Sequence, residues 1–303
     1  MCSQDNELKS DREIILDNGW QQGSTIKFDD VKEHIVASSI EGGLDGIKAK
    51  HQAKVAVISQ DCDIASDEKN VEVLLLKKVR KEVGFLKNGH NPRKLQLDPI
   101  DGTTYETKAN DVILLSKDLL KSKKTDSNST LGSEQVDVTK QWKANRYLRK
   151  GLPEKFVDSA KHIFSKPRKE EDSSEDCLST SKLFKEYASY ISSIRVYCEE
   201  IEGVTKCGFI LLYKGLKLKD NPEIVDILEE LFEECLLNKV RELDGVELIN
   251  DTEESLMIDF DLDDVMSNID FPIGLTRLFP RYFFDPYSFE YQDEDANADL
   301  SEH

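Results

Sequence analysis

The sequence predicts an α+β protein in two parts: a small β-barrel, a helical segment, then a two-layer α+β domain. Three observations carry this. Residues 14–120 read as short strands separated by turn residues, the spacing of a small barrel or sandwich. Residues 221–240 repeat apolar side chains at helical spacing. Between them lie two polar stretches, 123–140 and 167–181, with the composition of linkers.

The elements follow in order. Residues 1–12 are polar and read as a disordered tail, and 13–122 form the barrel domain. Gly23–Phe28 reads as a strand, and Asp29–Ser39 as a short helix with Val31, Ile35 and Val36 on one face. Lys54–Ser59 is an apolar run of buried-strand type, and Val71–Val79 is the next strand. Asn88-Gly89 and Asp101-Gly102 are hairpin signals, the second lying between Lys94–Leu97 and Thr103–Thr107. Val112–Leu120 reads as a strand running into a short helix. Residues 141–166 are a helical segment: Pro153 suits a first turn, and Phe156, Val157, Ala160, Ile163 and Phe164 recur at helical spacing. Residues 182–291 are the acidic α+β domain. It opens with strands Ile191–Glu199 and Cys207–Lys214 around Glu202-Gly203. A helix capped by Asn221 follows, then strands Val246–Ile249 and Leu256–Leu262. An acidic tail, 292–303, ends the chain.

Composition narrows the function. The 303 residues are 38% hydrophobic and 33% charged, enough apolar material for a core. The longest apolar run, Phe209–Tyr213, is far short of the roughly 20 residues of a membrane span. Met1–Glu13 holds no signal-type apolar stretch, so a cytoplasmic protein is expected. The formal net charge is −19, and it is unevenly spread. Residues 220–303 hold 4 Lys+Arg and 25 Asp+Glu, a net −21. Residues 126–219 carry a net +3. The acidic part cannot supply the basic stripe that nucleic acid needs. It suits a basic protein partner, with Asp226, Glu229, Glu230, Glu233 and Glu234 as the docking surface. A solubility surface and charge mimicry of DNA are the other readings.

Four constellations are candidates for chemistry. In Val57–Ala65 a buried strand delivers Ser59-Gln60-Asp61-Cys62-Asp63 into a loop. Cys62 suits a nucleophile only if a base such as His51 or His90 folds onto it, because Asp61 and Asp63 raise a thiol pKa. The same residues suit a metal, a partner contact, or a plain turn in which the aspartates cap backbone amides. In Gly89–Leu97, His90, Asn91, Arg93 and Lys94 are the types that contact phosphate, or the solvated charges of an ordinary loop. In Gln141–Pro153, Trp142, Arg146, Tyr147 and Arg149 mix aromatics with cations, which suits stacked nucleic acid, a protein hot spot, or docking between domains. Asp259 and Asp261 share one face of a strand and suit magnesium or solvent. The six cysteines include no C-x-x-C pair, and no phosphate-binding, dinucleotide or serine-hydrolase motif is present. No cofactor and no metal are expected.

The strands Gly23–Phe28, Val55–Ser59, Val71–Val79 and Arg93–Leu97 follow one another as in PemK/MazF-like toxins, and the N-terminal third resembles that family. The resemblance implies an SH3-like barrel and a nucleic-acid-binding or ribonuclease activity. The family's Arg-Pro before the V-I-S strand is replaced here by Lys50-His51-Gln52-Ala53-Lys54, which separates the implied fold from the implied catalysis. Ser59–Asp63 with Asn91-Pro92-Arg93 also resembles bacterial and phage proteins, which implies a genetic-conflict setting, defence or counter-defence. The leading expectation is therefore an interaction protein that binds a basic partner. A toxin-like nucleic-acid protein acting through Cys62, His90 and Arg93 is the alternative, and a Cys62-dependent hydrolase the second.

Overall fold

The computed structural model describes residues 9–40, 42–48, 51–148, 152–153, 156, 183, 186–251 and 262–282. The chain divides into two compact units. Unit 1 comprises Met1–Gly89 and Arg93–Ala144; unit 2 comprises His90–Pro92 and Asn145–His303.

Unit 1 is built on seven antiparallel strands. They are β1 (Thr25–Lys27), β2 (Ile35–Ser38), β3 (Lys54–Val57), β4 (Asn70–Lys78), β5 (Lys94–Leu97), β6 (Tyr105–Lys108) and β7 (Val112–Ser116). The order is β1-β3-β4-β6-β5, with β7 pairing both β4 and β2. The long β4 is the organiser. Leu74 faces Ala56 of β3, Val73 faces Ile113 of β7, and Lys77 faces Glu106 of β6. Among the described residues no pairing closes this sheet into a barrel.

The pattern V-E-V-L-L-L in β4 explains why. Alternate residues point to opposite faces of a strand. Val71, Val73 and Leu75 join Trp20, Phe28, Val55, Ile64 and Leu119 in one core. Leu74 and Leu76 join Ala56, Leu95, Leu97, Leu131 and Trp142 in another. The strand is therefore buried on both faces, and each face needs its own cover.

Short helices α1 (Asp11–Asp17), α2 (Asp61–Ile64) and α4 (Asp118–Ser122) lie on the first side, and a fourth, α3 (Gly84–Lys87), packs beside β5. In α1 the Ser10 hydroxyl accepts from Glu13 N–H while the Glu13 carboxylate accepts from Ser10 N–H, a reciprocal cap. The second face is covered by α5 (Ser133–Leu148), which begins inside the expected 123–140 linker and overlaps the expected 141–166 segment. That linker is thus corrected: Leu131 and Val136 pack on the sheet together with Trp142 beyond it, and the polar Ser129 and Thr139 are buried with them. Two local expectations change as well. Asp29–Ser39 is two 3-10 turns and β2, not a helix. Asn88-Gly89 ends α3 instead of a hairpin, since the positive φ of Gly89, +67°, serves a helix stop equally well.

Unit 2 is a mixed sheet of β8 (Ile191–Ile201), β9 (Val204–Tyr213), β10 (Val246–Leu248), β11 (Val265–Ser267) and β12 (Arg281–Tyr282). Its order is β10-β9-β8-β12, with β11 also on β9. The β8–β9 hairpin turns at Glu202-Gly203, both at positive φ (51° and 86°), as a two-residue turn requires. Cys207–Leu212 is buried at every position. On one face Ile210 and Leu212 pack with Phe271, Leu275 and Phe279. On the other, Phe209 meets Tyr282 and Phe156 at ring distances of 5.8 and 6.0 Å. A second layer alone would leave one of these faces wet, so the two-layer expectation understates the cover.

The remaining helices are α6 (Gly215–Leu218), α7 (Glu223–Phe232) and α8 (Asn238–Arg241). A π-helical stretch, Glu233–Leu237, joins α7 to α8 without a break. The expected Asn221 cap is absent: α7 starts after Pro222 with no side-chain cap. The expected strand Leu256–Leu262, with Asp259 and Asp261, lies outside the described residues except for Leu262. The tails 1–8 and 292–303, and the stretch 167–181, lie outside them too. No helix among the described residues is long and apolar enough to cross a membrane.

Candidate functional site

The Asp61-Cys62-Asp63 loop is held by long-range hydrogen bonds. β3 hands its chain to α2, and the exposed Asp61 carboxylate accepts from Gln22 N–H at 2.7 Å. The Gln22 amide in turn donates to Ile58 C=O at 2.8 Å. The buried Lys117 ammonium donates to Asp63 C=O at 2.5 Å and to Ser66 C=O at 2.8 Å, closing the end of the loop. Burial pushes the Lys117 pKa down, and nearby Glu68, Asp63 and Asp67 only partly oppose this.

Cys62 is exposed. Its sulfur lies 3.6 Å from Gln60 Oε1 and 3.6 Å from Asp63 Oδ1, so these hydrogen-bond partners are acceptors, not an imidazole or a cation. His51 Nδ1 accepts from Lys48 N–H. His90 belongs to unit 2, where Nε2 donates to Ala188 C=O at 3.2 Å. Burial, then the charge of Arg281, pushes the His90 pKa down to about 3, so the ring is neutral. Among the described residues no histidine is hydrogen-bonded to Cys62, as nucleophilic catalysis would need. Arg93 is half-buried at the entry to β5, and Lys94 pairs with Glu106 at 3.5 Å. Among the described residues no cluster of three or more His, Cys, Asp or Glu is placed to hold a metal.

A pocket of about 180 Å³ opens beside this loop, lined by Gln22, Ile58, Glu72, Val136, Lys140 and Lys143 among others. That is below the roughly 300–1,000 Å³ of ordinary ligand pockets.

The aromatic–cationic segment separates into different roles. Trp142 is 2% exposed and belongs to the unit 1 core, so its indole is not on offer to a base or a partner. Tyr147 is 77% exposed. Arg146 lies on α5, and Arg149 lies outside the described residues.

The acidic helix presents its charge outward. Leu228, Leu231, Phe232, Cys235 and Leu236 are buried, while Asp226, Glu229 and Glu230 are exposed. Among the described residues no cation pairs with these three. Glu233 differs: the Arg241 guanidinium bridges to it from α8, so its charge is already compensated. Glu234 is half-buried.

Two residues absent from the sequence reading stand out in unit 2. Arg195 sits in the middle of β8, and Arg281 faces it from β12. The one local signal is an arginine inside the apolar run Ile194-Arg195-Val196. Compared with protein-family models, curated proteins and solved structures, the chain matches none.

Proposed function

We propose that this chain is a binding protein that presents an acidic surface of unit 2 to a basic protein partner. The carrying observation is the net −21 of residues 220–303, with Asp226, Glu229 and Glu230 exposed on the outer side of a helix whose inner side is core. The core fixes the helix, and the helix fixes the carboxylates at neighbouring surface positions. Such a field raises encounter rates with a basic partner and is screened by salt.

Part of the same proposal is an SH3-like origin for unit 1. Its support is β4, which pairs β3 along one edge and passes from β7 to β6 along the other. A setting in phage defence or counter-defence rests on the sequence resemblance alone.

The test is capture of host proteins by the tagged full-length chain, at low and high salt, with and without nuclease. The reading expects a stoichiometric protein that is lost at high salt, resists nuclease, and is lost in the triple variant Asp226→Asn, Glu229→Gln, Glu230→Gln. Those three side chains are exposed, so the variant keeps its fold. Unchanged capture by the triple variant sinks the reading. Recovery of nucleic acid in place of protein moves the toxin-like reading, with residues 90–94 and 141–150, to first place.

A further inference from the structure

Unit 2 places two cysteines face to face across the β8–β9 hairpin. Cys198 of β8 is the register partner of Cys207 of β9. Antiparallel partners alternate between pairs joined by ladder hydrogen bonds and pairs whose N–H groups turn away from each other. Val196 N–H donates to Pro280 C=O, Phe209 N–H to Asn250 Oδ1, and Thr205 N–H to Gly245 C=O, all outside the β8–β9 ladder. The pairs Val196–Phe209 and Glu200–Thr205 are therefore of the second kind. The register runs without a shift from Ile194 to Ile201, so Cys198–Cys207, which lies between those two pairs, is of that kind as well.

In such a pair the Cα atoms stand about 4.5 Å apart and the side chains are at their closest. A disulfide spans Cα atoms about 4.4–6.8 Å apart, so the backbone already has the spacing the bond needs. Both residues carry thiols. Their surroundings differ. Cys207 is fully buried, and burial first, then the neighbouring Cys198, pushes its thiol pKa up. It stays protonated and out of reach of solutes. Cys198 is half-buried, so a solute meets its sulfur first. Access and thiolate character decide which sulfur begins an exchange.

We propose that Cys198 and Cys207 are a disulfide-forming pair, with Cys198 as the attacking thiol, Cys207 as the resolving thiol and a small-molecule disulfide as the oxidant. The Cys198 sulfur attacks one sulfur of the oxidant. The oxidant S–S bond breaks, and one thiol leaves with the proton that Cys198 gave up. The Cys207 sulfur then attacks the Cys198 sulfur, and the second thiol leaves with the proton of Cys207. Two protein thiols are oxidised to one disulfide, and the oxidant is reduced to two thiols. The second step is intramolecular between facing residues, and this proximity offsets the poor ionisation of Cys207. The bond closes a short ring around Glu202-Gly203 and pins the end of the hairpin. This site is independent of the acidic surface on α7 and goes beyond the function proposed from it.

The test equilibrates the full-length protein with graded ratios of oxidised to reduced glutathione. Remaining thiols are alkylated in denaturant at low pH, and the protein is digested with trypsin without reductant for mass spectrometry. Cleavage after Arg195, Lys206 and Lys214 puts Cys198 in peptide 196–206 and Cys207 in peptide 207–214. The two peptides are expected to be joined, in a share that rises with oxidised glutathione, and to separate in dithiothreitol. Cys207→Ser is expected to hold at least tenfold more glutathione on Cys198 than the parent does. Cys198→Ser is expected to leave Cys207 without glutathione. Circular dichroism checks the fold of each variant; should either not fold, the peptide map of the unaltered protein decides by itself. Recovery of the two peptides apart at every ratio overturns the proposal. So does Cys198 joined to any other cysteine, or a joined pair found only in a dimer on a non-reducing gel.

Discussion

Acid should loosen unit 2 through one buried histidine. His90 is 6% exposed, donates through Nε2 to Ala188 C=O, and accepts through Nδ1 from Arg281. A second ring proton would face the guanidinium that Nδ1 now accepts from, and Lys214 adds a further positive charge nearby. Burial first, and these cations next, lower its pKa to about 3 from the ordinary 6.5. The unfolded chain takes up a proton near 6.5, and the folded chain does not. Stability from this group is therefore complete above 6.5 and is lost as pH falls from 6.5 towards about 3. Each pH unit in that window costs about 1.4 kcal/mol, so at about pH 4.5 the loss is roughly 2.7 kcal/mol. Carboxylates titrate in the lower half of the window, so the comparison is with His90→Gln, which keeps an amide donor and acceptor. Tryptophan fluorescence would miss the event, because Trp20 and Trp142, the two tryptophans of the chain, lie in unit 1. Hydrogen exchange of β8 and β9 amides is the right probe. The difference in their protection between the parent and His90→Gln should narrow by about tenfold per pH unit below 6.5. A His90 ring that titrates near 6.5 by NMR, or a variant with the parent's pH slope, refutes the reasoning.

Three further outcomes follow from the packing. Trp142→Ala should cost unit 1 about 3–5 kcal/mol, measured by urea unfolding through Trp20 fluorescence; a cost below about 1 kcal/mol would take Trp142 out of the core. Lys117→Met removes the donor to Asp63 C=O and Ser66 C=O and should cost about 1.5–3 kcal/mol, with faster amide exchange confined first to residues 61–66. Gly208→Ala would put a methyl 2.7 Å from Ile249 Cγ1 and should cost about 1–3 kcal/mol, much of it recovered in the double variant with Ile249→Ala; thermal unfolding of the four proteins checks the coupling.

The constellation most visible in the sequence is tied into the fold by long-range hydrogen bonds. Ser59–Asp63 is conspicuous because polar and reactive side chains cluster after an apolar strand. Such a cluster says nothing about which backbone groups they meet. Asp61 is taken up by Gln22 N–H, 39 residues earlier in the chain, and Asp63 C=O by Lys117, 54 residues later. Those bonds engage the Asp61 carboxylate and the Asp63 backbone. Conversely, the arginine pair was invisible because neither residue has a local marker beyond its own strand.

What the sequence by itself determined are the features whose cause is local. The α+β mixture, β3, β4, the β7–α4 junction, the Glu202-Gly203 hairpin and the apolar stripe of α7 all follow from side-chain period and from residues that tolerate positive φ. The localisation of charge to residues 220–303 is likewise a property of the chain as written. Tertiary structure alone decided the rest. The helix α5 has too few apolar side chains to announce itself, and it forms because the second face of β4 must be covered. His90 and Arg281 are 191 positions apart, and nothing between them fixes their distance. Their meeting, and the facing of Arg281 by Arg195, depend on β12 pairing with β8, a long-range register that no local period encodes.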